Sequence, residues 1–116
     1  MNAHRIFIAH SMDDRPFVDS VRRWLEHSEW RSAEVDDPAS WAAEGEDARR
    51  MIKERIREAD SVIVLWSDRA ARSPWVNYEI GMADALEVPI RVCVAEGTAA
   101  KLPAVLEETE LIQLRS

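Results

Sequence analysis

Cysteine is nearly absent from this chain of 116 residues. Cys93 stands alone, which excludes an internal disulfide framework and a multi-cysteine zinc site. Glycine is scarce too. The three glycines, Gly45, Gly81 and Gly97, form neither GxGxxG nor GxxxxGKS/T, so the backbone cradles that hold nucleotide phosphates are missing. No GxSxG elbow is present, and no cysteine–histidine pair is placed to make a thiol nucleophile. His4, His10 and His27 lack metal-ligand spacing. Asp13-Asp14 and Asp36-Asp37 have the chemistry to hold Mg²⁺, but such pairs more often serve as a helix cap and a polar loop. No bound metal and no resident cofactor are expected. The longest apolar run, Val62 to Trp66, is far short of a membrane span. The opening MNAHRIFIAHSMDD has no basic segment followed by a long apolar run, so no signal peptide is expected. With the lone cysteine, this points to a cytoplasmic protein. Basic residues number 15 against 22 acidic ones, for a net charge of -7, and no basic arm gathers them. That balance argues against direct nucleic-acid or membrane partners.

What is present fits one domain spanning residues 1–116. Hydrophobic residues at 47% and charged residues at 32% are globular proportions. Short apolar runs alternate with amphipathic stretches, the pattern of a parallel sheet with helices packed on it. Arg5 to Ala9 reads as the first strand and His10 to Asp14 as a loop. Asp13 or Asp14 is placed to cap a helix with Pro16 in its first turn, and Phe17, Val21, Trp24 and Leu25 share its inner face. Ser32 to Val35 is a weak second strand, and Asp36 to Gly45 a loop. A second helix runs from Glu46 to Glu58, with Ala48, Met51, Ile52 and Ile56 inward. Ser61 to Trp66 is the strongest strand and reads as buried on both faces. Asp68 to Arg72 is expected to be a loop. Ser73-Pro74 then starts a third helix that runs to Leu86. Strand four lies within Val88 to Val94, a short helix at Leu102 to Glu108, and strand five at Leu111 to Leu114. The natural topology is a flavodoxin-like α/β fold, with five parallel strands and helices on both faces. Its ligand crevice lies beyond the carboxyl ends of the strands. No final helix follows strand five, so either the domain is cut from a longer chain or a partner covers the last strands.

One constellation stands apart. Trp75, Tyr78 and Glu79 fall at i, i+3 and i+4 near the start of the third helix, hence on one face and at the ligand edge. Glu79 is not a capping-box glutamate, because Val76 holds that position. Its neighbours at helical spacing are Trp75, Val76, Met82 and Ala83, none of them basic. Glu54, by contrast, has Arg50 and Arg57 beside it, and Glu46 has Arg49 and Arg50. Spacing alone leaves two readings open: a solvated rim glutamate, or a carboxylate held against aromatic rings at a functional site. The second suits cleavage of an N-glycosidic bond, where a carboxylate stabilises or traps an oxocarbenium-like centre. A pyridinium base leaves neutral and needs no general acid, so a single carboxylate suffices. Trp75, Tyr78 and Trp41 have faces that favour a cationic ring, although core packing is the commoner use of tryptophan. His10 reads as a loop hydrogen-bonding group more readily than as a base, and Cys93 as a small buried strand residue.

Four segments, in order, resemble the Toll/interleukin-1 receptor (TIR) domain family, in particular its bacterial, NAD-cleaving branch. RIFIAHSMDD resembles the opening box. EGEDARRMIKERIREADSVIVLWS resembles the loop–helix–strand segment. SPWVNYEIGMADAL is similar to the SxWxxxE helix, and KLPAVL to a common late motif. The resemblance implies NAD⁺ as substrate and cleavage of the nicotinamide–ribose bond, releasing ADP-ribose or a cyclic isomer, in bacterial defence or signalling. It puts the catalytic glutamate on Glu79 and the accompanying tryptophan on Trp75. Ala9, His10 and Ser11 would line the pocket, with Ser67 at the same edge and Arg49 on the second helix. The loop from Asp36 to Gly45, with Trp41, would close the site and mediate self-association or binding to other TIR domains. A scaffold without turnover is the main alternative, and a nucleoside deoxyribosyltransferase, related in fold and glutamate chemistry, a lesser one. A phosphorylated receiver domain is disfavoured, because neither Lys53 nor Lys101 fits the lysine it needs near strand five.

Overall fold

The computed structural model describes residues 4–36, 45–107 and 110–112. One sheet holds five strands: β1 (Arg5–Ala9), β2 (Glu34–Asp36), β3 (Ser61–Trp66), β4 (Ile90–Val94) and β5 (Glu110–Ile112). Their order is β2-β1-β3-β4-β5, and every neighbouring pair is parallel. Parallel neighbours cannot be joined by a hairpin, so the chain must cross a face between them. Helix α1 (Arg15–Glu26) makes the crossing from β1 to β2, and α2 (Gly45–Glu58) lies between β2 and β3. The short α3 (Asp68–Ala71) and then α4 (Pro74–Ala85) lead from β3 to β4. This is the doubly wound, flavodoxin-like arrangement implied by the alternation of runs.

Side chains alternate across the sheet and divide the core in two. Phe7, Ala9, Val62, Val64, Trp66 and Val92 pack against Ile52 and Ile56 of α2 and Val76, Ile80 and Ala83 of α4. Ile6, Ile8, Ile63, Leu65 and Cys93 face the other way, onto Val18, Val21 and Leu25 of α1. All of β3 is buried, as its unbroken apolar run predicts for a central strand. Three tryptophans belong to this framework. Trp24 meets Trp30 edge-on with ring centroids 5.8 Å apart, and the Arg91 guanidinium lies 4.0 Å over the Trp30 ring. Trp66 Nε1 donates to the Ala100 carbonyl at 3.2 Å.

Several local expectations shift. The second strand begins two residues later and ends one residue later than its composition suggested, because pairing decides it: Arg5, Ile6 and Phe7 register with Glu34, Val35 and Asp36. Ser32 lies instead in the preceding turn, where the Ala33 amide donates to Trp30. Residues 68–71 form α3 rather than a loop. Ser67 caps it by accepting from the Ala70 amide at 3.0 Å, and a helix of one turn is too short to show a period. The segment around Leu102 contributes only a 3-10 turn, Ala104–Leu106. Helix α4 matches its sequence signals at the start: the Ser73 hydroxyl accepts from the Val76 amide at 3.3 Å, with Pro74 in the first turn. At its end the Glu87 amide donates to Asp84 and the Val88 amide to Ala83, a Schellman arrangement. That motif forces Glu87 to φ 57, where glycine is the usual occupant.

Candidate active site

In this fold the strand order reverses between β1 and β3, and ligands sit beyond the carboxyl ends of the strands at that point. The buried polar residues gather there. His10, Ser11, Asp14, Ser61, Ser67 and Glu79 are the buried polar or charged residues among those described. Of these, His10, Ser11 and Asp14 follow β1, Ser67 follows β3, and Glu79 lies in the half of α4 nearer that edge. Only Ser61 lies at the opposite end, where His4 Nε2 is 3.2 Å from its hydroxyl. Burying a polar group is unfavourable unless something compensates, and hydrogen bonds to neighbouring groups do so for His10, Ser11, Asp14 and Ser67.

Glu79 is 2% exposed. The solvated-rim reading of this residue is therefore wrong. Helix α4 buries a stripe of Val76, Glu79, Ile80 and Ala83, and the carboxylate takes a place in a row of apolar side chains. The helix packs directly on β1, and Ala9 shares a core cluster with Val76 and Ile80. Glu79 makes an interaction in the structure, while its Oε2 is shut off from solvent without a hydrogen bond among the described residues. Trp75 stays 44% exposed on the same helix. Its ring meets Tyr78, half-buried, edge-on at 6.0 Å between centroids. The shared face that spacing implied is thus a boundary, with the acid inside, Trp75 outside, and Tyr78 between them, packed against the core.

The rest of the edge is ordered by hydrogen bonds. His10 Nδ1 lies 2.8 Å from the Ser11 carbonyl. A carbonyl only accepts, so Nδ1 carries the proton, and Nε2 of the neutral ring is the acceptor. The Ser11 hydroxyl accepts from the Asp13 amide at 3.3 Å. Ser67 donates its hydroxyl proton to Asp14 Oδ2 at 2.5 Å while accepting from the Ala70 amide. That leaves Ser67 one lone pair for any ligand. Asp68 Oδ1 accepts from the amides of Ala99 and Ala100 at 3.0 and 2.8 Å, which ties the segment after β4 to the same edge. Gly97, at φ 80, supplies the left-handed residue that segment needs to turn back.

The topology therefore sets Ala9, His10, Ser11, Ser67, Trp75, Tyr78 and Glu79 toward the same edge of the sheet. Arg49 stands on an exposed position of α2. Trp41, and the loop between Asp36 and Gly45, lie outside the described residues. The pair Asp13-Asp14, expected to cap α1, does something else. Asp14 occupies the cap position but makes no side-chain cap bond; it is buried and paired with Ser67 and Arg69. One sign was available in sequence: a cap needs one acid, and there were two. No group of acids, histidines and cysteines able to hold a metal occurs among the described residues. A groove of about 240 Å³ lined by Arg22, Leu25, Trp30 and Val35 lies against the α1 side of the sheet and contains none of these groups.

A parallel sheet in the order 2-1-3-4-5 defines a doubly wound α/β domain. Within that class the chain belongs to the TIR domain family, whose model matches residues 6–116. Three solved structures show the same fold. The TIR domain of the Toll-related receptor TRR-2 from Hydra magnipapillata superposes with a TM-score of 0.73 at 14% identity, over 93% of this chain and 82% of that one. The 2-deoxyribosyltransferase from Bacillus psychrosaccharolyticus gives 0.69 at 14% identity, over 97% and 86%. The CMP N-glycosidase BcmB from Clostridium botulinum gives 0.64 at 20% identity, over 94% and 86%. No curated protein sequence matches the chain. No helix among the described residues is long and apolar enough to cross a membrane.

Proposed function

We propose that this chain is an NAD⁺ glycohydrolase of the TIR type, with Glu79 as its catalytic carboxylate. The observation that carries this reading is the burial of Glu79 to 2% exposure on α4, beside the reversal point of the sheet. The electrostatic reach of a carboxylate in an apolar stripe is greater than in water. Two of the fold neighbours are named for work on nucleosides or nucleotides, a 2-deoxyribosyltransferase and a CMP N-glycosidase. The architecture is thus compatible with N-glycosidic chemistry.

In the reaction, the bond between ribose C1′ and the nicotinamide nitrogen breaks, and its electron pair goes to the ring nitrogen. Nicotinamide, cationic while attached, leaves neutral, so no proton has to be delivered to it. Glu79 stabilises the positive charge that develops at C1′, or forms a bond to that carbon. Water then adds its oxygen to C1′ and releases a proton, giving ADP-ribose. An internal nitrogen of the adenine in place of water gives a cyclic product. Trp75 and Tyr78 offer faces to the pyridinium ring. At 2% exposure the carboxylate is closed to substrate, as in an enzyme that is silent alone and opens when copies assemble.

The test is nicotinamide release from NAD⁺, followed by chromatography over a range of protein concentrations. Release per molecule that rises with concentration is expected. Base exchange between deoxynucleosides, without action on NAD⁺, would instead identify a deoxyribosyltransferase. Inactivity on both, even under crowding that forces assembly, would leave a scaffold for other TIR domains as the better account.

A further inference from the structure

We propose that Asp14 is a positioning residue for the site. It locks the segment after β1 to α4 through Ser67, and so fixes where Glu79 stands. This rests on the reading of Glu79 as the catalytic carboxylate. Asp14 is 5% exposed and does not cap the helix it precedes. Its Oδ2 accepts the Ser67 hydroxyl at 2.5 Å, and Oδ1 lies 3.4 Å from Arg69 Nη1. Its amide donates to the Ser11 carbonyl at 3.0 Å, the same oxygen that receives His10 Nδ1. One residue thus holds the His10-Ser11 turn on one side and the end of β3 on the other.

From Ser67 an unbroken hydrogen-bonded track leads to the catalytic helix. The Ser67 hydroxyl accepts from the Ala70 amide, and its carbonyl accepts from the Ala71 amide at 2.9 Å. The Ser73 amide donates to the Ala70 carbonyl at 3.0 Å. Asn77 closes the track by donating its Nδ2 to the carbonyls of Ala71 at 3.2 Å and Ser73 at 2.9 Å. Asn77 is two residues before Glu79. Each bond is individually modest. Together they remove the freedom of α4 to slide or roll over β1. A reacting group displaced by about 1 Å can lose on the order of a hundredfold in rate, so α4 needs such a brace.

The experiment measures kcat and KM for NAD⁺ in Asp14→Asn, Asp14→Ala, Ser67→Ala, Ser67→Thr and the Asp14→Ala/Ser67→Ala pair. It is run at a temperature where circular dichroism shows every variant folded. Asp14→Ala and Ser67→Ala should each lower kcat at least about tenfold with KM changed less than about threefold, because remote misplacement costs the chemical step. Ser67→Thr, which keeps the hydroxyl, should recover most of the rate. The pair should be no worse than the worse single change, since both cut one track. A folded Asp14→Asn and Asp14→Ala with wild-type kcat, or losses that multiply in the pair, would overturn the proposal. Hydrogen exchange gives a readout independent of turnover. In Asp14→Ala the amides of Ala70, Ser73 and Val76 should exchange faster while those of Val62 to Leu65 do not. If the wild type releases no nicotinamide even under crowding that forces assembly, the NAD⁺ reading fails by itself. Unchanged exchange at Ala70, Ser73 and Val76 would then refute the brace separately.

Discussion

Replacing Glu79 by glutamine and, separately, Ile80 by alanine separates catalysis from packing at adjacent positions of one helix. Both side chains are 2% exposed and belong to the stripe that α4 buries. Glutamine keeps the volume and shape of glutamate, so Glu79→Gln opens no cavity and removes only the charge. If Glu79 stabilises the cationic centre, kcat should fall by at least 10²–10³, about 2.7–4 kcal/mol of lost transition-state stabilisation. Ile80→Ala removes three carbons from the core cluster that includes Phe7, Val64 and Ile52. It should lower stability by about 2–5 kcal/mol, yet keep most of its activity per folded molecule. The assay pairs urea unfolding with nicotinamide release measured well below the midpoint of the weaker variant. Glu79→Gln with activity within tenfold of wild type would refute the catalytic assignment. So would equal losses of activity in both variants, because proximity to the core would then explain the effect.

Three further outcomes are expected. Burial pushes the Cys93 thiol from 9.0 up to about 11. The raised folded value means that its contribution to stability is complete below pH 9 and is lost as pH rises through 11, up to about 2.7 kcal/mol. Denaturant unfolding of wild type and Cys93→Ala should therefore converge or cross between pH 9 and 11, and parallel curves would contradict it. Glu87→Gly should stabilise the fold by about 1 kcal/mol, because glycine accepts φ 57 without penalty. For a domain of this size that raises Tm by roughly 3–5 °C in calorimetry. Trp75→Ala should leave Tm nearly unchanged, since the ring is 44% exposed. It should raise KM for NAD⁺ about fivefold to thirtyfold, as expected for a lost cation–π contact of 1–2 kcal/mol.

Much of the frame could be read directly. RIFIA and SVIVLW appear as β1 and β3 at the residues their apolar runs mark. The Ser73-Pro74 start of α4 is as its residues suggest, with the hydroxyl capping Val76. These features are local: a run of β-branched residues, a cap, a helical period. Short elements were less legible. The one-turn α3 has too few residues to show periodicity, and the limits of β2 follow from its register with β1 rather than from its own composition.

The site divides the same way. Sequence alone singled out Glu79 as an acid without basic company, and Trp75 and Tyr78 as rings within helical reach of it. It left the acid's burial open, because helical spacing says which residues share a face but not what lies opposite. That was decided by the sheet order, which packs α4 onto β1 and turns Glu79 inward and Trp75 outward. Asp14 makes the same point more sharply. Its partner Ser67 lies 53 positions away, and only the folding of β1 beside β3 brings a carboxylate and a hydroxyl from separate loops to 2.5 Å. Local residue chemistry selects which groups are able to act, while their burial and their partners arise from contacts between distant segments, and only the tertiary fold makes those.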